Sequence, residues 1–193
     1  MPSPAQSLRP GDALLVVDVQ VDFLPGGALA VPAGDEVVPA LNRSLALFRA
    51  AGLPVALTRD WHPADHCSFL SRGGPWPPHC VRGTPGAAFA PGLEVPAAAH
   101  LVSKATGRDE EAYSGFTGTD LHAWLQAQGA RRLFVGGLAT DYCVLATVRD
   151  ALGLGYAAVL LLDCVRAVDV APGDGERAVA EMFSLGAEPL YAG

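Results

Sequence analysis

A mostly parallel β-sheet covered by helices on both faces is the fold class this sequence predicts. Three observations predict it. Short continuous apolar runs, such as Ala13 to Val17 and Ala157 to Leu162, read as strands buried on both sides. Stretches with apolar residues at helical spacing alternate with those runs along most of the chain, as in strand–crossover–strand units. The 193 residues, 50% hydrophobic and 17% charged, supply one core for a single domain over 1–193 and leave no tract polar enough to stay disordered.

Each element has its own signal. Pro10-Gly11 punctuates the chain just before the strand at 13–17. Over 35–51, Val37, Val38, Leu41, Leu45, Leu47 and Phe48 fall near helical spacing, acidic residues occupy the first turn, and Gly52 and Pro54 end the helix. Strands at 55–58 and 101–103 follow, then a helix at 119–128, a strand at 133–135 and a helix at 140–152. A strand at 157–162, a helix at 175–185 and a short strand near 188–191 complete the series. From 61 to 100 the rhythm breaks into a Pro- and Gly-rich interval carrying Trp61, Phe69, Trp76 and Phe89, and connections of that length are usually functional.

Composition excludes several function classes. With a formal charge of −7 and no basic run longer than Arg131-Arg132, the chain lacks the cationic stripe that phosphate neutralisation needs, so no nucleic-acid partner is expected. No apolar run approaches a membrane span, and residues 1–11 carry Pro2, Pro4 and Pro10 without a signal-peptide core; a cytoplasmic protein without membrane association is expected. Cys67, Cys80, Cys143 and Cys164 lack disulfide-framework or zinc-ribbon spacing and read as free thiols. Twelve of the thirteen basic residues are Arg, which singles out Lys104 as a site needing a compact ammonium.

Open parallel sheets bind ligands beyond the carboxyl ends of their strands. The residues there form a chemically coherent set: Asp18 after the first strand, Asp60, Trp61 and His62 after the second, Lys104 ending the third, and 136–143 after the fourth. Cys143 lies near a helix N-terminus, where unpaired N–H groups lower a thiol pKa, and is the best nucleophile candidate; the alternative is a small residue on the helix's inner face. Asp60, His62, His66 and His79 form a second group. The D-x-H pair puts two side chains on one face, and a further His folding back completes a site for Zn²⁺, Mn²⁺ or Fe²⁺; solvated loop histidines are the alternative.

Together these segments resemble the nicotinamidase branch of the isochorismatase-like cysteine hydrolases. The resemblance runs through L-L-V-V-D-V-Q-V-D-F-L-P-G-G-A-L at 14–29, T-R-D-W-H-P-A-D-H-C-S-F at 58–69 and W-P-P-H-C-V-R-G-T-P-G-A at 76–87. It continues in K-A-T-G-R-D-E-E-A-Y-S-G-F at 104–116 and G-G-L-A-T-D-Y-C-V at 136–144. It implies a six-stranded sheet in a three-layer α/β/α sandwich, with 61–100 as metal-site and lid loop, and hydrolysis of nicotinamide to nicotinate and ammonia, and leaves turnover of pyrazinamide open. The implied catalytic set is Asp18, Lys104 and Cys143, with Ala139 joining Cys143 in the oxyanion hole beside a cis Leu138–Ala139 peptide. Phe23, Trp76, Tyr113 and Leu138 match ring-pocket positions, and Asp60, His62 and His79 match metal ligands, with His66 at a fourth position that varies within the family and zinc favoured over iron or manganese. The resemblance further implies a small-molecule substrate in nicotinamide salvage towards NAD and leaves homo-oligomerisation open. Ala105 stands where Gly is common and Leu138 where Val is common.

Overall fold

A computed structural model describes residues 8–193; residues 1–7, part of the N-terminal stretch in which no signal peptide is expected, lie outside the described residues. The strands are β1 (Asp12–Val17), β2 (Val55–Asp60), β3 (His100–Lys104), β4 (Arg132–Leu138), β5 (Ala157–Arg166) and β6 (Glu188–Leu190). They pair in parallel throughout, in the order β3-β2-β1-β4-β5-β6. The helices are α1 (Val37–Ala50), α2 (Leu121–Ala127), α3 (Leu145–Gly153) and α4 (Asp174–Ser184).

The continuous apolar run of β1 is explained by its two covered faces. Ala13, Leu15 and Val17 enter one apolar cluster with Leu125 of α2, Val148 of α3 and Met182 of α4. Leu14 and Val16 enter the other, with Leu41, Leu45 and Phe48 of α1. Each Val, Leu, Phe or Met side chain fully buried in this way contributes roughly 1.5–3 kcal/mol. Successive residues alternate faces, so a polar residue anywhere in the run would face a core.

Strand order reverses between β1 and β4, which opens a crevice beyond their carboxyl ends. Two glycines permit the close approach there. A Cβ on Gly136 would stand 2.8 Å from the Cβ of Cys164, and one on Gly137, at φ +129°, would stand 2.0 Å from the carbonyl oxygen of Val17. Beside them the β4–β5 register shifts, Val135 facing Leu160 and Gly137 facing Val165, so β5 runs on to Arg166, beyond the expected 162.

Two helices also depart from expectation. The segment after β4 starts with one π-helical turn, Thr140–Val144, before α3 begins at Leu145. The α2 helix starts at Leu121, since the Thr119 hydroxyl donates to the Gly115 carbonyl at 2.6 Å and accepts from the Leu121 N–H at 3.3 Å, closing a local turn ahead of it. The 61–100 interval folds down on the rim through bridges between His62 and Val81 and between Phe69 and Trp76, with Phe69 fully buried. Among the described residues no helix is long and apolar enough to cross a membrane.

Candidate active site

Three strand ends bring Asp18, Lys104 and Cys143 together. Asp18 is the first residue past β1 and adopts φ +47°, a left-handed turn that Asp tolerates better than most residues. Its Oδ1 accepts from the Thr58 hydroxyl at 2.7 Å, while Oδ2 lies 2.9 Å from Lys104 Nζ in an ion pair but receives no aligned hydrogen bond. The Lys104 ammonium also donates to Asp60 Oδ1 (2.5 Å), to the Ala112 carbonyl (3.1 Å) and to Cys143 Sγ (3.5 Å). Asp18, Asp60 and Cys143 each place one ligand-type atom within 4.8 Å of the others, a grouping with metal-site spacing. The ammonium of Lys104 already supplies the cation there.

Burial dominates the electrostatics. It works against the Lys104 charge, yet Asp18 and Asp60 outweigh it and hold the ammonium pKa well above its ordinary value. It pushes the Asp18 carboxyl up, with Lys104 opposing. Burial likewise raises the Asp60 carboxyl, but Lys104 and then His62 overcome it and hold that group below the usual carboxylate range. The Cys143 thiol is pushed well above the ordinary thiol range by burial, which Lys104 only partly offsets. This opposes the lowering expected from a helix N-terminus, because the sulfur is buried beside two carboxylates.

Asp60, His62 and His79 form the second cluster, their ligand atoms also within 4.8 Å of one another. His62 Nδ1 faces the Ala105 carbonyl at 3.2 Å and His79 Nδ1 the Pro77 carbonyl at 2.8 Å, so each Nδ1–H donates and each Nε2 keeps its lone pair. Those nitrogens lie 3.5 and 4.0 Å from Asp60 Oδ2. His62 Nε2 is buried without any hydrogen-bond partner, a costly arrangement for a polar atom unless something else binds it. Burial also holds the His79 pKa down, keeping its imidazole neutral. Two imidazoles and a carboxylate with oriented outer partners fit a divalent transition metal.

Both clusters open into one cavity, lined by Cys143 and Ala139 and by Asp60, His62 and His79. Its walls are mainly aromatic and aliphatic. Trp76 meets Tyr142 edge-on at 5.0 Å, Tyr113 tilts against Tyr142 at 5.6 Å, and Trp76 Nε1 donates to the Tyr113 hydroxyl at 3.0 Å. Phe23 packs against His79 at 5.6 Å. Such a cavity suits a small flat molecule held by a few polar groups.

Residues 12–192 match the model of the isochorismatase domain family. The chain belongs to the isochorismatase family. It is 40% identical to the nicotinamidase of Escherichia coli over 199 aligned positions, covering 92% of this chain and 93% of that protein. It superposes on the pyrazinamidase of Pyrococcus horikoshii in complex with zinc with a TM-score of 0.91 and 49% identity, covering 94% of this chain and 99% of that one. A protein from L. infantum in complex with nicotinate aligns with a TM-score of 0.88 and 36% identity, over 100% of this chain and 96% of its own.

Within this isochorismatase-family fold, two residues expected at the site stand outside it. His66 stacks on His62 at 4.2 Å, but its Nδ1 is engaged by the Ser68 hydroxyl (2.7 Å) and its Nε2 by the Glu110 carbonyl (2.9 Å), so neither nitrogen joins the Asp60 cluster. Leu138 is fully buried and packs in the core on the α1 side instead of lining the cavity. The Leu138–Ala139 peptide is cis. Ala105 takes φ +49°, which costs a non-glycine residue on the order of 1 kcal/mol.

Three residues of this isochorismatase-family site carry no strong signal in the sequence. Gln20 is fully buried and grips the Asp60 peptide from both sides: Nε2 donates to its carbonyl at 2.8 Å and Oε1 accepts its N–H at 2.7 Å. Period-two alternation puts Gln20 on the face of Asp18, which is the one hint available. Tyr142 and Glu111 also line the cavity, and nothing in their residue type or spacing marks them.

Proposed function

We propose that this protein is a metal-dependent amidohydrolase that converts nicotinamide to nicotinate and ammonia through a thioester on Cys143. The observation that carries the reading is a single aromatic-walled cavity holding both the Cys143 sulfur and the Asp60–His62–His79 cluster. A nucleophile alone suits many amides; paired with a metal cluster in a flat apolar slot, it suits an aromatic amide whose ring carries a donor nitrogen. The nicotinamidase and pyrazinamidase names of the relatives, and a neighbour's nicotinate, support that substrate class.

Asp18, whose Oδ2 is ion-paired with Lys104 but receives no aligned hydrogen bond, takes the thiol proton as Sγ attacks the amide carbon. The N–H groups of Ala139 and Cys143 receive the developing oxyanion. Asp18 then passes its proton to the leaving nitrogen, ammonia departs, and the acyl group stays on sulfur. In the second half Asp18 draws a proton from water, the resulting hydroxide equivalent displaces Sγ, and the proton returns to sulfur. Lys104 holds Asp18 and Asp60 in place and offsets negative charge throughout. Trp76, Tyr113 and Phe23 bury the ring. Asp60, His62 and His79 would hold zinc, which would supply a Lewis acid to anchor the ring nitrogen.

Zinc-loaded protein incubated with nicotinamide is expected to release ammonia and nicotinate in equal amounts, read by a coupled ammonia assay and chromatography. Absence of both products, with turnover of an aliphatic amide instead, would exclude the assignment.

A further inference from the structure

On the reading just given, the cavity admits a neutral amide and must discharge an anionic carboxylate, so a group sensitive to that difference controls which of the two it retains. Few candidates exist. Among the described residues lining the cavity there is no Lys or Arg. The nearby ammonium of Lys104 is already paired with Asp18 and Asp60. Of the two carboxylates in the lining, Asp60 is buried and belongs to the metal cluster, while Glu111 is exposed at the rim.

Glu111 is placed by the turn that carries it. Its Oε1 accepts the N–H of Ala112 at 3.0 Å, and the Ala112 carbonyl accepts from Lys104 Nζ at 3.1 Å, so the rim carboxylate is tied to the reacting centre through one residue. No ion pair with a described residue neutralises it. The next side chain but one is Tyr113, a wall of the cavity.

We propose that Glu111 is a specificity-determining residue that favours the neutral amide over the anionic acid by like-charge repulsion, which hastens departure of the carboxylate product. The proposal rests on the amidohydrolase reading. A like charge at the rim of a partly wet site changes the affinity for an anion by roughly three- to ten-fold. The effect must fade with salt, since the screening length falls from about 10 Å at 0.1 M to about 3 Å at 1 M.

The test compares Glu111, Glu111→Gln and Glu111→Asp, each zinc-loaded and in a Cys143→Ala background that does not hydrolyse the amide, by calorimetric titration with nicotinamide and with nicotinate, at low salt and at high salt. Glu111→Gln is expected to shift the acid-to-amide affinity ratio three- to ten-fold towards the acid at low salt, with most of that shift gone at high salt. Glu111→Asp, which retains the charge, is expected to restore the ratio of the Glu111-retaining parent. A ratio in Glu111→Gln within two-fold of that parent, or a shift that ignores salt, overturns the proposal while leaving the amidohydrolase reading intact. Failure of the Glu111-retaining parent to bind either ligand overturns both.

Discussion

Replacing Cys143 with alanine is expected to lower turnover of nicotinamide by at least about 10³-fold, since no other group near the reacting centre can form the acyl intermediate. Cys143 is the one cysteine among the described residues lining the cavity, and the one serine there, Ser68, has its hydroxyl engaged with His66 Nδ1 at 2.7 Å. Cys80 and Cys164 are buried elsewhere, with thiols pushed up by burial, Cys164 to about 12. The fold should survive. Alanine removes only the sulfur, and Lys104 keeps Asp18, Asp60 and the Ala112 carbonyl, so no buried charge is left unpaired. A stability change below about 2 kcal/mol is expected, read by chemical denaturation beside the activity assay. A variant retaining a tenth of wild-type activity would remove the nucleophile role.

The second large effect concerns the metal cluster. Stripping the protein with a chelator, or substituting His79→Ala, is expected to reduce nicotinamide turnover by on the order of 10²-fold or more, chiefly through a higher KM. His62 and His79 present lone pairs beside Asp60 Oδ2, a donor set suited to a metal that would take the ring nitrogen. Zinc returned to the stripped wild type should restore activity at about one equivalent, whereas His79→Ala should stay impaired. Because an ion that binds only the folded chain stabilises it by mass action, the melting temperature of the wild type should rise on zinc addition. Metal content by atomic absorption, followed through the same titration, checks the stoichiometry. Undiminished turnover in protein shown to be free of metal would contradict the assigned role.

The parts of this architecture that were legible in the sequence follow from periodicity and from topology. Apolar runs such as 13–17 mark strands because both faces of β1 are covered, and strand ends at one rim bring together residues as distant as Asp18 and Cys143. The exclusive use of arginine elsewhere pointed to Lys104, which sits fully buried between two carboxylates. What escaped depends on direction and environment. His66 differs from His79 only in where its ring nitrogens point, and spacing cannot show that Ser68 and the Glu110 carbonyl claim both. Leu138 immediately precedes Ala139, yet its side chain turns into the core while Ala139 borders the cavity. Helix position suggested a lowered Cys143 pKa, but the cost of burial overrides it, a quantity no local pattern encodes. Gln20 works through its neighbour's backbone, so its contribution becomes visible only when the Asp60 peptide is in view.

The proposed chemistry predicts a transient acyl group on one sulfur. Rapid acid quench of zinc-loaded enzyme during turnover of nicotinamide, followed by peptide mass spectrometry, measures this directly. A nicotinoyl adduct confined to the peptide containing Cys143, and lost when hydrolysis is allowed to finish, is the expected result. Sustained turnover with that peptide unmodified at every quench time, or with the adduct on a different residue, would contradict it.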